Sequence, residues 1–109
     1  VLLWRGDQGG SNSSWLEQNH RLIGDNKFSD FRMIGVIDAG NGKDDWMQVP
    51  VALFIAKRNY NISGSPYYFT NQVFSGDDSG LFGIRYLDDN KFVGKTYRGG
   101  RINEVWGWR

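Results

Sequence analysis

Cysteine is absent from the 109 residues, so neither a disulfide framework nor a thiolate metal site can form. Packing and hydrogen bonds must hold the fold alone. Histidine occurs once, at His20, which leaves a zinc site without a second imidazole and makes any nucleophilic triad depend on that ring. The G-x-S-x-G elbow of serine hydrolases is missing too. No stretch approaches the ~20 apolar residues that a membrane-spanning helix requires, and the start has no signal-peptide pattern, so membrane insertion is not expected. Charge of one sign is also lacking: thirteen Lys and Arg face twelve Asp and Glu, for a net +1. The basic residues are scattered along the chain, which argues against a nucleic-acid partner.

Strong helix formers are scarce, with three Ala and two Glu, while fifteen Gly, ten Asp, nine Asn and seventeen aromatic residues favour turns and strands. At this length the chain is one domain. We expect an all-β fold, an antiparallel β-sandwich of about eight strands. The apolar runs place those strands at Val1 to Arg5, around Arg21 to Ile23, Phe31 to Ile37, Trp46 to Ala56, Pro66 to Phe74, Leu81 to Leu87, Lys91 to Tyr97 and Ile102 to Trp108. The clearest local signal is "GLFGIRYLDDNKFVGKTY", two alternating runs joined at Asp88, Asp89 and Asn90 as in a tight hairpin. Pro50 cannot donate to a ladder, so its strand should bulge, bend or lie at an edge. The one segment with helical cues is "SSWLEQNHRL", where Ser13 or Ser14 could cap a turn with Glu17 after it, but it is short.

Few residues offer chemistry. The pairs Asp44 and Asp45, Asp77 and Asp78, and Asp88 and Asp89 could serve glycosidic hydrolysis, but each lies among Gly, Asn and Ser, where Asp forms turns. Adjacent strand residues also point to opposite faces. The stretch Asp38 to Asp45 carries oxygen donors at close spacing without the calcium-loop register or its distant glutamate, so a plain connector is the favoured reading. The RGD at Arg5 to Asp7, the sequons at Asn12 and Asn61, and the single RGG at Arg98 to Gly100 are short matches that carry no weight. No cofactor is indicated.

The aromatics remain. Indole and phenol rings combine a flat apolar face with a polar handle, which suits both core packing and stacking on sugars or peptide side chains. Phe31, Phe54, Phe69 and Phe82 read as core, whereas Trp46, Tyr60, Tyr67 and Trp108 stand beside loops. The candidate contact residues are therefore Trp46, Tyr60 and Tyr67, with Asp44, Asp45, Asn59, Asp77 and Asp78 as neighbouring polar groups.

The chain ends in "RINEVWGWR". Strict alternation puts Ile102, Glu104, Trp106 and Trp108 on one face and Asn103, Val105 and Gly107 on the other. Apolar groups on both faces predict an inner strand, a subunit contact or both, since leaving two indoles in water forgoes on the order of several kcal/mol of burial.

That ending belongs to a wider pattern. Leu3 and Trp4 with Gly6, the loop "DQGGSNSS", the segment "HRLIGDNKFSDFRMIGVID", the hairpin "FGIRYLDDNKFVG" and the closing Arg101, Ile102, Val105 and Gly107 together resemble the C-terminal domains of bacteriophage tail fibres. The stretch from Asn41 to Ser65 has no counterpart in that pattern. The resemblance implies the C-terminal fragment of a longer chain, assembled as a homotrimeric fibre tip on a virion. Such a tip binds a bacterial surface polysaccharide or outer-membrane protein without enzymatic turnover. A secreted lectin or toxin-type glycan-binding subunit would share the architecture, and a small polysaccharide hydrolase would need two of Asp44, Asp77 and Asp88 in one cleft.

Overall fold

The computed structural model describes residues 1–9, 14–39, 45–75 and 78–109, with the backbone alone for residues 74, 75, 78 and 79. Two four-stranded antiparallel sheets face each other as a sandwich, as the composition requires. The first sheet has the order β1 (Leu2–Gly9), β10 (Arg101–Trp108), β3 (Met33–Asp38), β4 (Asp45–Pro50). The second has the order β2 (Trp15–Arg21), β9 (Lys91–Tyr97), β8 (Asp78–Asp88), β7 (Phe69–Ser75). A small hairpin, β5 (Asn61–Ile62) with β6 (Ser65–Pro66), completes the ten strands among the described residues. Its two-residue turn places Ser63 and Gly64 at φ +50° and +81°, the left-handed values such a loop demands. The molecule is a slab of 39 × 33 × 19 Å.

Between the sheets lie Ile34, Val36, Phe82, Ile84, Phe92, Ile102 and Val105, all fully buried. One end of this core is plugged by rings. Phe28, from the 3₁₀ turn Phe28–Asp30, meets Phe54 edge-on at 5.0 Å, and Phe54 meets Tyr86 at 5.7 Å. Each such pair adds about 0.5–1.5 kcal/mol beyond the burial itself. The 3₁₀ turn is tied to the β8–β9 hairpin by Ser29, whose N–H and hydroxyl both donate to the Asp89 carboxylate at 3.0 and 2.6 Å. Asp88 accepts the Asn90 N–H, so these acids form the turn as their surroundings suggested.

Three expectations need correction. The apolar run after Pro50 is not strand: β4 ends at Pro50, and Val51–Ala56 form a short helix, α1, that inserts Val51 and Phe54, three residues apart, into the core. Pro50 sits at the end of an edge strand, where its missing N–H costs nothing. The segment with helical cues is strand β2, paired with β9 without a break from Trp15↔Tyr97 to Arg21↔Lys91. The strand expected around Arg21 to Ile23 is this same β2, which starts earlier and ends at Arg21. The polar composition of β2 reflects a strand at the edge of its sheet rather than a helix.

The third correction concerns the last strand. β10 is an inner strand between β1 and β3, but its alternation slips. Ile102 joins Val105 and Gly107 on the core side, leaving Glu104, Trp106 and Trp108 outside. The slip coincides with a register shift in β1 between Arg5 and Gln8. Asn103 holds the irregular region, accepting the Ala39 N–H at 2.8 Å.

Side chains and turns close the seams between the sheets. Gln8, only 1% exposed, reaches from β1 across to the other sheet and donates to the carbonyls of Gly94 at 2.8 Å and Leu16 at 3.3 Å. Because its amide nitrogen donates, its oxygen must accept, so His20 Nε2–H donates to Gln8 Oε1 at 2.6 Å. Burial lowers the His20 pKa below its ordinary 6.5, which keeps the ring neutral in this setting. On the opposite side Asn71 of β7 donates to the Trp46 carbonyl of β4 at 2.8 Å.

Candidate functional site

The outer face of the first sheet is built by cross-strand register. One row runs Arg5, Glu104, Ile37, Trp46; the next Leu2, Trp106, Gly35, Gln48; a third holds Trp108, Met33 and Pro50. Because their sequence neighbours Ile34, Val36, Val49 and Val105 all point into the core, these residues point away from it. Three of the five tryptophans thus share one open face. From strand spacing, Trp106 and Trp108 stand about 7 Å apart along β10, and Trp46 about 12 Å from Trp106.

Local details hold these indoles in place. Gly35 provides a floor: a Cβ there would lie 2.7 and 2.8 Å from Cη2 and Cζ3 of Trp108, so the six-membered ring lies over the glycine. Trp106 Nε1–H donates to Glu104 Oε1 at 3.1 Å, while Arg5 donates twice to Oε2 at 3.0 and 2.9 Å. These donors, the indole first, hold the Glu104 carboxyl below the usual carboxylate range. The pairing also makes the face nearly neutral. Trp46 and Trp108 remain 56% and 46% exposed.

The candidate residues named from sequence do not form one site. Trp46 lies on this face. Tyr60 and Tyr67 form a separate pair beyond α1, edge to face at 5.7 Å, with Lys57 Nζ 4.1 Å from the Tyr60 ring. Asn59 is exposed beside them, its carbonyl accepting from Asn61. Asp45 opens β4 directly opposite Asp38, and among the described residues its buried Oδ2 has no hydrogen-bond partner. Asp38 is fully buried and accepts the Arg101 N–H at 3.0 Å, so the first acid of the suspected ion loop is engaged by the backbone. Asp44 and Asp77 lie outside the described residues, and Asp78 is described as backbone in β8. Among the described residues no three His, Cys, Asp or Glu side chains converge as metal ligands would. No helix among them is long and apolar enough to cross a membrane.

Ideal alternation pairs Trp106 with Ile102 and so hides it as a surface group, and the helical cues of "SSWLEQNHRL" hide the strand that presents Trp15. Trp15 is 51% exposed on the outer face of the second sheet, stacked on Tyr97 with centroids 4.3 Å apart. The signal for both was present as period-two spacing, Trp106 with Trp108 and Trp15 with Glu17 and Asn19.

No family model matches the chain, nor does any curated protein or solved structure.

Proposed function

We propose that this protein is a non-enzymatic binding module that recognises a bacterial surface glycan through the indole face of the first sheet. The observation that carries the reading is the placement of Trp46, Trp106 and Trp108 on one open, nearly neutral face. A sugar ring presents an apolar C–H face and a rim of hydroxyls. The C–H face stacks on a flat indole, and Arg5, Glu104 and Gln48 stand in the adjoining rows to exchange hydrogen bonds with the rim.

The sequence resemblance supports a place for this module at the tip of a phage tail fibre, as a homotrimer. A shallow face of this kind binds one glycan segment weakly, and several copies on one particle convert weak contacts into adhesion by raising effective concentration. Titration with purified bacterial surface polysaccharide, followed by calorimetry, tests the reading. Trp46→Ala lowers affinity about tenfold while the melting temperature holds, since that indole is more than half exposed. Light scattering on the same variant must give an unchanged mass. A drop in mass would identify the face as a subunit contact and overturn the glycan assignment.

A further inference from the structure

The second sheet turns a different surface outward. Residues that are scattered in sequence meet there by register: Trp15 beside Tyr97, Glu17 beside Lys95, Asn19 and Val93 beside Arg85, and Arg21 beside Lys91. With Arg98 in the turn after β9, its guanidinium 5.3 Å from the Tyr97 ring, five cations share a face that holds two described carboxylates, Glu17 and Asp88. Counted over the described side chains, five cations against two carboxylates, this face carries a net +3.

The cations around the ring pair are held in place. Lys95 Nζ lies 4.6 Å from the Trp15 ring and 4.8 Å from the Tyr68 ring, and only 3.9 Å from Glu17 Oε1. Tyr68 precedes the edge strand β7, yet its hydroxyl donates to Glu17 Oε2 on β2 at 2.9 Å, so the side chain straps the face. Arg85 lies beside that strap, its Cζ 5.5 Å from the ring, and among the described residues its buried Nε has no hydrogen-bond partner.

Arg98 adds an independent observation. Its φ is +55°, a left-handed value that costs a non-glycine residue about 1–2 kcal/mol, although two glycines follow it directly. A glycine at this position would relieve the backbone. The chain instead keeps a cation there, beside the exposed Trp15–Tyr97 stack.

We infer that the outer face of the second sheet is a separate binding site for an acidic glycan, with one sugar ring stacked on the Trp15–Tyr97 pair and its carboxylate between Lys95 and Arg98. Glu17, beside Lys95, favours a sugar over a DNA strand because its carboxylate can accept hydroxyl hydrogens, which a sugar ring carries and a DNA backbone lacks. The site lies on the broad face opposite the Trp46 face and does not depend on it.

The test titrates the intact chain with oligogalacturonate, oligosialate, the methyl ester of the first, and single-stranded oligothymidylate of equal charge, reading Trp fluorescence. Binding to an acidic oligosaccharide with at least tenfold loss on esterification supports the site, as does weakening by raised salt. Trp15→Ala reduces that affinity about tenfold or more, while Trp46→Ala leaves it unchanged. Arg98→Gly reduces it about three- to fivefold, and Arg98→Lys, which keeps the positive charge, recovers part of that loss. Equal binding of the ester, tighter binding of oligothymidylate, or no binding to either acidic oligosaccharide would each overturn the inference. So would loss of binding in Trp46→Ala.

Discussion

Replacing Gln8 by Met gives a direct measure of what joins the two sheets. Methionine keeps nearly the same volume, so little cavity forms, but three hydrogen bonds disappear at once. The Gly94 carbonyl is buried and loses its side-chain donor, which costs about 1–3 kcal/mol. The Leu16 carbonyl and His20 Nε2–H are only partly buried and recover part of their loss from water. The sum is a destabilisation of about 2–4 kcal/mol. With a urea slope of about 1–3 kcal/mol/M, the unfolding midpoint falls by roughly 1–2 M at unchanged slope. Gly94 is part of the same joint, since a Cβ there would collide with Gln8 Oε1. A loss below about 1 kcal/mol would refute the reasoning, because the bridge would then contribute no more than an ordinary surface hydrogen bond.

Further outcomes follow from single positions. Gly107→Ala places a Cβ 2.7 Å from Phe31 Cδ1 and 2.9 Å from Leu3 Cδ1, so overpacking lowers stability by about 1–3 kcal/mol in thermal or urea melts. His20 has its folded pKa lowered below 6.5 by burial, so below that pH the unfolded chain takes up the proton first. Stability therefore declines as pH falls from above 6.5 through the folded pKa, and His20→Asn flattens the decline in melts run between pH 7 and 5. Tyr68 and Tyr86 have pKa values raised above 10.0, chiefly by burial, so ultraviolet titration finds both ionising later than in the unfolded chain.

Much of the fold was legible because short apolar runs bounded by turn residues mark β3, β9 and the hairpin at Asp89 and Asn90. Where that rule failed, a tertiary contact had overridden it. "VALFIA" is apolar throughout and shows no period; its helix is fixed by Phe54 reaching Phe28 and by the Val51 N–H donating to Arg32, neither visible locally. The slip in β10 depends on a register shift in the neighbouring β1. The two faces proposed to bind were less legible still. Trp46 was picked out for its place beside a loop, but its partners Trp106 and Trp108 come from a strand more than fifty residues away, and only the β10–β3–β4 register brings them together. The basic residues looked dispersed for the same reason: Arg21, Arg85, Lys91 and Lys95 meet through pairing, not sequence.

The central claim, that the indole face takes up a glycan without altering it, is tested most directly by nuclear magnetic resonance. The five tryptophans each give an indole N–H signal, and these are followed while bacterial surface polysaccharide is added. The signals of Trp46, Trp106 and Trp108 shift together, and the polysaccharide is recovered at its original length. Indole signals that stay fixed on that face, or a polysaccharide that comes back shortened, would contradict the account.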